Sequence, residues 1–253
     1  MTVLVVTGTG TEIGKTMTTA ALAAVARAAG RSVAVLKPAQ TGVGPGQPGD
    51  CAEVTRLAGE VTTLELARFP EPLSPETAAL RAGLPPVPTD GIVRAAGRLA
   101  ADHDLVLVEG AGGLLVRFDA GGATLADAAR ELGAEVLVVA PPGLGTLNAV
   151  TLTAEALRAR GLAQLGVVLG SWPREPGLAE RCNLVDLPVA AGAPLLGALP
   201  EGAAALAPAD FRARAAGWLA PVLGGRWDAA RFTAEHPALA RPAPAGAAVR
   251  TAV

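Results

Sequence analysis

Short apolar runs separated by helix-length segments recur along the first 200 residues of the chain. Six such runs, at residues 3–6, 33–36, 105–108, 136–139, 166–169 and 195–199, show no alternation of polar and apolar positions. Strands that are buried on both faces have this pattern, and the strands of a parallel sheet are buried on both faces. We therefore expect each run to be an interior strand.

The segments between these runs have the features of helices. Apolar side chains at residues 17–29 fall on one helical face, and Gly30 follows as a stop; residues 151–160 and Gly161 repeat the arrangement. Alternating strands and helices predict an α/β fold, with a mostly parallel sheet and helices on both faces.

Three segments depart from this alternation. Residues 42–49 are rich in glycine and proline and predict a flexible loop, and residues 83–90 predict a proline-rich surface connection. Beyond about residue 225 the chain is rich in alanine and proline and lacks periodicity. We expect a single domain over residues 1–225 and a poorly ordered C-terminal tail over residues 226–253.

The composition supports a large core and excludes several functions. The chain is 51% hydrophobic, its net charge is −2, and it has neither a basic stripe nor an apolar stretch near 20 residues. Nucleic acid and membrane partners are therefore not expected. The two cysteines match no metal or redox spacing, and the first apolar run is too short for a signal peptide, so we expect a cytoplasmic protein.

A glycine-rich turn, Gly8–Thr16, joins the first predicted strand to the first predicted helix. Small residues let the backbone N–H groups point at an anion, and the following helix adds about half a positive charge at its N-terminus. Lys15 could reach the β- and γ-phosphates of a nucleotide, and the Thr16 hydroxyl could bind Mg²⁺. Thr9 replaces the first glycine of a strict Walker A loop, but the order of elements still predicts a P-loop NTPase-like domain.

Lysine is used at two positions only, Lys15 and Lys37, although the chain has 21 basic residues. Both lysines fall at the carboxyl ends of predicted strands, where parallel sheets bind ligands. Because arginine does not replace the compact ammonium at a crowded phosphate, this usage indicates that the ammonium is needed at both positions. Compositional drift towards arginine is the alternative.

Two carboxylates are candidate Mg²⁺ ligands beside Thr16. Glu109 directly follows the strand at 105–108, and Asp50 follows the loop after the second strand. Mg²⁺ prefers oxygen ligands of this kind. Alternatively, Glu109 pairs with an arginine, and Asp50 caps a helix.

The segments 7–16, 37–42, 108–113 and 144–148 together resemble the dethiobiotin synthetase family, over about residues 1–220. The resemblance implies that 7,8-diaminopelargonic acid, CO₂ (or bicarbonate) and a nucleoside triphosphate, normally ATP, are the substrates. It also implies that a phosphorylated carbamate closes to the cyclic urea of dethiobiotin, a step of biotin biosynthesis. The family is cytosolic, Mg²⁺-dependent and homodimeric.

The resemblance also assigns roles to residues of this sequence. Lys37, Lys15 and Thr11 are expected to be catalytic. The expected nucleotide-binding residues are Glu12, Ile13, Gly14, Lys15, Thr16, Met17, Glu109, Gly110, Ala111, Gly112, Gly170, Ser171, Pro200, Glu201 and Gly202. The expected substrate-binding residues are Thr41 and, from the partner subunit, Leu144, Gly145, Thr146 and Asn148. For Asn148, a helix cap is the alternative.

The sequence departs from the family at the expected base-binding end. Many relatives have an Asn-Asp pair where this chain has Gly170 and Ser171. Glycine offers no amide side chain, so we expect backbone groups near residues 200–202 to contact the base. The hypothesis is a relaxed or altered nucleobase preference; alternatively, Gly170 only ends a strand.

Two other classes of protein are alternatives to a dethiobiotin synthetase. A ParA- or MinD-like nucleotide switch would have its characteristic lysine where this chain has Gly10. An amidoligase of the cobyric acid synthase type would need a glutaminase domain, for which 253 residues leave no room.

Overall fold

The computed structural model describes residues 2–238. The strands are β1 (Thr2–Gly8), β2 (Val33–Thr41), β3 (Thr62–Phe69), β4 (Leu105–Gly113), β5 (Glu135–Ala140), β6 (Gln164–Trp172) and β7 (Leu195–Pro200). The α-helices are α1 (Lys15–Ala28), α2 (Asp50–Ala58), α3 (Pro75–Ala82), α4 (Thr89–Asp102), α5 (Leu125–Leu132), α6 (Thr146–Ala159), α7 (Leu178–Ala191), α8 (Pro208–Ala215) and α9 (Ala229–Glu235). In this part of the chain no helix is long and apolar enough to cross a membrane.

The strands form one sheet in the order β3-β2-β4-β1-β5-β6-β7, and every neighbouring pair is parallel. The inner strands are buried along most of their length, because helices cover both faces of the sheet. The predicted α/β fold is confirmed. Since β1 lies beside β4, and β4 beside β2, their carboxyl ends are adjacent at one edge of the sheet.

Strand β3 was not predicted. It is the first strand in the sheet order and pairs with β2, and most of its residues are partly or fully exposed. Its sequence, TTLELARF, therefore mixes polar and apolar side chains and lacks the continuous apolar run of an interior strand.

The expected C-terminal tail is ordered in its first part, contrary to the prediction for residues 226–238. Trp227 is buried and helix α9 follows it. The ring centroid of Trp172, at the end of β6, lies 5.2 Å from that of Phe232 and 5.1 Å from that of His236. These aromatic side chains supply a packing surface that the alanine- and proline-rich composition conceals. Residues 239–253 lie outside the described part.

Candidate nucleotide-binding site

The glycine-rich turn links β1 directly to α1, as the sequence predicts. Gly14 has a φ of 95°, and Glu12, with a φ of 59°, also has left-handed backbone. A Cβ at Gly14 would lie 2.3 Å from the carbonyl oxygen of Gly170, so glycine is required by space as well as by conformation. The turn is therefore fixed against the end of β6.

Lys15 is the first residue of α1 and is only 7% exposed. Its Nζ donates a hydrogen bond to the carbonyl oxygen of Gly10 at 2.6 Å, across the turn. Burial, reinforced by the nearby charge of Lys37, lowers the pKa of Lys15 from 10.5 to about 8. The two lysines are thus close enough to repel each other, and a multiply charged anion would relieve that repulsion.

Lys37 lies on β2 and is 3% exposed. Its Nζ lies 2.5 Å from a carboxylate oxygen of Asp50 and 2.8 Å from Oε1 of Glu109, and it also donates to the carbonyl oxygen of Gly110 at 3.1 Å. Burial alone would lower the pKa of Lys37, but the two carboxylates outweigh burial and raise it above its ordinary value. Lys37 is therefore a cation held in one position.

Glu109 connects both lysine-bearing elements. Its Oε1 accepts hydrogen bonds from Thr16 at 2.9 Å and from Lys37 at 2.8 Å. Its Oε2 is buried and has no hydrogen-bond partner within residues 2–238. A buried carboxylate oxygen without a partner is costly unless a cation or donor satisfies it.

These oxygens fit a Mg²⁺ ion. Glu109 accepts a hydrogen bond from Thr16, and the carboxylates of Glu109 and Asp50 both contact the ammonium of Lys37. The described residues contain no group of three or more histidine, cysteine, aspartate or glutamate side chains that could hold a metal ion. Mg²⁺ does not require such a cluster, because it keeps several waters and takes substrate phosphate oxygens as further ligands.

One cavity of about 840 Å³ contains most of the predicted site. The predicted residues that line it are Thr11, Glu12, Ile13, Gly14, Lys15, Thr16, Met17, Lys37, Thr41, Asp50, Glu109, Ala111 and Gly112. Gly110 contributes its carbonyl oxygen to Lys37. Residues far apart in the sequence therefore meet because β1, β2 and β4 end side by side.

The remaining predicted nucleotide-binding residues do not line this cavity. Gly170 packs against the glycine-rich turn, where a Cβ at Gly170 would lie 1.9 Å from the carbonyl oxygen of Ile13. Pro200 borders a separate pocket beside Trp172, and Glu201 donates its backbone N–H to the carbonyl oxygen of Trp172. Ser171 and Gly202 lie near these residues in sequence, and the nucleotide-binding roles of all five residues stay predictions.

The predicted loop of the substrate site also lies outside the cavity of its own chain. Leu144, Gly145 and Asn148 are exposed, whereas Thr146 is 1% exposed and its hydroxyl has no partner within residues 2–238. This placement leaves the roles of the loop as predictions that require a second subunit.

Sequence reasoning missed one wall of the cavity. The additional lining residues include Gln40, Pro72, Leu73, Ser74, Pro75 and Val116. Residues 72–75 follow the unpredicted strand β3, so nothing in the sequence placed them near the phosphate loop. Gln40 lies within the recognised segment 37–42, and its polarity at a buried strand end was a usable signal.

The parallel sheet, the glycine-rich turn and the adjacent lysine and threonine define a P-loop nucleotide-binding protein. A family model described as an AAA domain matches residues 2–208. The chain is 69% identical over 232 residues to the ATP-dependent dethiobiotin synthetase BioD of Streptomyces avermitilis, covering 92% of this chain and 98% of that protein. The same-named protein of Streptomyces coelicolor is 63% identical, with 93% and 99% covered. The chain belongs to the dethiobiotin synthetase family.

A solved structure supports the fold. The MinC:MinD cell division protein complex of Aquifex aeolicus contains a chain that matches with a TM-score of 0.54 and 15% identity, covering 95% of this chain and 99% of that chain. At this identity the likeness concerns the fold alone.

Proposed function

We propose that the chain is an ATP-dependent ligase of biotin biosynthesis, which makes dethiobiotin from 7,8-diaminopelargonic acid and CO₂. The observation that carries the proposal is the meeting of Lys15, Lys37 and Glu109 in one cavity. The identity of 69% to a dethiobiotin synthetase, over nearly its whole length, supports the same reaction.

The reaction begins when one substrate amine takes up CO₂ to give a carbamate. A carbamate oxygen attacks the γ-phosphorus of ATP, the bond to ADP breaks, and a carbamic–phosphoric anhydride forms. The second amine attacks the carbamate carbon, phosphate leaves, and the cyclic urea closes. Two anions approach in the phosphoryl transfer, so the site must align them and offset their charge.

Lys15 and Lys37 have complementary parts in this transfer. In this structure, Lys15 donates a hydrogen bond to the carbonyl oxygen of Gly10, and it would exchange this contact for hydrogen bonds to phosphate oxygens. Lys37, held by Asp50 and Glu109, presents its ammonium to the oxygens between which the phosphoryl group moves. Thr11 and Thr41 line the same cavity, and in this proposal their hydroxyl groups donate hydrogen bonds to the carbamate or the diamine.

Thr16, Asp50 and Glu109 would hold the Mg²⁺ ion. When bound, the ion supplies positive charge that offsets the negative charge of the phosphate oxygens. The unpartnered Oε2 of Glu109 supports this assignment, because it is a buried oxygen acceptor that has no hydrogen-bond partner within the described residues.

The functional unit is proposed to be a homodimer. Leu144 is 91% exposed at the tip of the loop before α6, and Gly145 and Asn148 beside it are exposed too. In a partner's cavity, the first N–H groups of α6 would bind the carboxylate of the substrate. The exposed leucine at the loop tip would contact its aliphatic chain.

Nucleobase selectivity is proposed to be weaker than in relatives that have asparagine at the position of Gly170. The side chain is excluded there by space, because a Cβ would meet the carbonyl oxygen of Ile13 at 1.9 Å. Turnover with ATP, GTP and CTP at equal concentration tests this point. A preference for ATP above about 100-fold, which a side-chain hydrogen bond to the base can provide, would contradict it.

A product assay tests the function as a whole. Purified protein is mixed with diaminopelargonate, bicarbonate, Mg²⁺ and ATP, and dethiobiotin and phosphate are measured by mass spectrometry and colorimetry. We expect equal amounts of the two products, and neither product when the diamine or bicarbonate is omitted. Hydrolysis of ATP that ignores both compounds would instead indicate a switch ATPase.

A further inference from the structure

Gln40 is a buried polar residue to which the reaction described above gives no part. It lies near the end of β2, is 4% exposed, and borders the cavity three residues after Lys37. A buried amide at this position must have hydrogen-bond partners, and those partners identify what the residue does.

The two ends of the Gln40 amide contact different elements. Its Oε1 accepts a hydrogen bond from the backbone N–H of Asp50 at 2.8 Å, and its Nε2 donates to the carbonyl oxygen of Thr41 at 3.3 Å. The amide therefore ties the first residue of α2 to the end of β2, across a loop of eight residues in sequence.

Gln40 accepts a hydrogen bond from the first residue of helix α2. The N-cap residue of α2 is Gly49, which has no side chain to accept hydrogen bonds from the free N–H groups of the first turn. Gln40 supplies an acceptor from outside the helix. The fit is tight, since a Cβ at Gly49 would lie 2.7 Å from Oε1 of Gln40 and 3.0 Å from a guanidinium nitrogen of Arg68.

The side chain of Asp50 contacts Lys37: its Oδ2 lies 2.5 Å from the Lys37 Nζ. It is one-third exposed, so burial alone does not fix its direction. The residue is thus held at two points, by Gln40 through its backbone and by Lys37 through its carboxylate.

We infer that Gln40 is a positioning residue, which holds the start of α2 so that the Asp50 carboxylate faces Lys37 and the proposed Mg²⁺ site. The inference rests on the proposed function for the role of Asp50. Residues that orient a metal ligand typically change metal affinity by about 10- to 100-fold when they are replaced.

Gln40→Met tests the inference, because methionine keeps the volume of glutamine and lacks its amide. Gln40→Asn is the second variant, since its shorter amide remains polar but falls short of the Asp50 N–H. Gln47→Met is the matched control, because Gln47 is an exposed glutamine of the same loop whose Oε1 accepts a hydrogen bond from the backbone N–H of Gly44 in that loop. Thermal unfolding establishes that each variant is folded.

Two measurements do not depend on turnover. Hydrogen exchange at the Asp50 amide, followed without ligand, should be at least about tenfold faster in both Gln40 variants, since the bond that protects it is lost. The Mg²⁺ concentration that half-saturates binding of a fluorescent ATP analogue should rise about tenfold, while the KM for diaminopelargonate stays within about twofold. Gln47→Met should match the unaltered protein in all three measurements.

Folded Gln40 variants with unchanged Mg²⁺ half-saturation would overturn the inference. Asp50→Asn separates this failure from that of the proposed function. If Asp50→Asn weakens Mg²⁺-dependent binding and the Gln40 variants do not, the positioning role is wrong and the metal assignment stands. If Asp50→Asn also has no effect, the metal role of Asp50 is wrong, and the role of Gln40 fails with it.

Discussion

At the scale of single residues, the site is a set of buried charges that neutralise one another incompletely. Lys37 faces two carboxylates, whereas Lys15 has a neutral carbonyl as its partner and Lys37 as a nearby like charge. One oxygen of Glu109 has no partner within the described residues. Both imbalances would be relieved by a nucleotide with its cation, as expected where function, more than stability, sets the arrangement.

Lys37→Arg tests the need for an ammonium at the end of β2. The larger guanidinium does not fit between Asp50, Glu109 and the carbonyl of Gly110 without moving them, so we expect normal folding and a loss of about 100-fold or more in kcat. Steady-state kinetics and circular dichroism are the measurements. Arg94→Lys on the exposed face of α4 is the control, and near-normal turnover of Lys37→Arg would refute the role.

Glu109→Gln tests the metal assignment. The amide keeps the shape of the carboxylate but loses its charge, so we expect slower phosphoryl transfer and about tenfold more Mg²⁺ for half-maximal activity. A titration of activity against Mg²⁺ measures the shift. If the curve coincides with that of the unaltered protein, Glu109 is not a ligand.

The lowered pKa of Lys15 predicts a pH dependence of nucleotide binding. The folded value of about 8 lies below the ordinary 10.5, so between these pH values the unfolded chain binds more protons than the folded one. The charged Lys15 therefore lowers the free energy of unfolding of the nucleotide-free protein by its full amount below pH 8. This loss of stability disappears as the pH rises from 8 towards 10.5. Phosphate oxygens favour the charged lysine and raise its pKa again, so affinity should fall as the pH rises above about 8.

Calorimetry at pH 8, in buffers of different ionisation enthalpy, measures this linkage. We expect uptake of about half a proton for each nucleotide bound, since Lys15 is about half protonated there. The Lys15→Arg variant, whose guanidinium stays protonated, should show no proton uptake at position 15. Binding heats that do not depend on the buffer would show that Lys15 is already fully charged.

At the scale of elements, the phosphate loop (the glycine-rich turn between β1 and α1) packs against the end of β6. Neither Gly14 in the loop nor Gly170 on β6 has room for a side chain. We expect Gly170→Ala to destabilise the fold by about 1–3 kcal/mol, because its Cβ would collide with the backbone of Ile13. The displaced loop should also bind nucleotide about tenfold more weakly, a loss of about 1.4 kcal/mol. Urea denaturation and nucleotide titration are the measurements.

Gly97→Ala is the matched control for this substitution. Gly97 lies inside α4, and a Cβ there meets nothing within 4 Å. Alanine should stabilise the helix by about 0.5–1 kcal/mol and leave nucleotide affinity unchanged. If Gly170→Ala were as harmless as Gly97→Ala, the close packing of the phosphate loop on β6 would be wrong.

The elements also show what the sequence could predict. The glycine-rich turn was predictable because its chemistry is local: a strand, small residues, a lysine, a threonine and a helix in order. Strand β3 and helix α9 were not, since one is a half-exposed edge strand and the other packs through aromatic side chains distributed among alanines and prolines. Residues 72–75, which form one wall of the cavity, follow β3 in the chain, and they were not predicted because β3 was not predicted.

At the scale of the whole molecule, strand order explains the site. The order β2-β4-β1 brings the carboxyl ends of three strands together, and with them Lys37, Glu109 and the phosphate loop. The sequence predicted that these residues follow strands, and the resemblance predicted that they share a site. The contacts that hold Asp50, by contrast, come from the side chains of Lys37 and Gln40 across a loop, and no local pattern encodes them.

A crystal structure with a non-hydrolysable ATP analogue, Mg²⁺ and diaminopelargonate tests the central claim most directly. We expect the Nζ atoms of Lys15 and Lys37 to lie within hydrogen-bond distance, about 3 Å, of oxygens around the same γ-phosphate. A γ-phosphate bound by Lys15 alone, with Lys37 turned away from it and from the diamine, would contradict the claim.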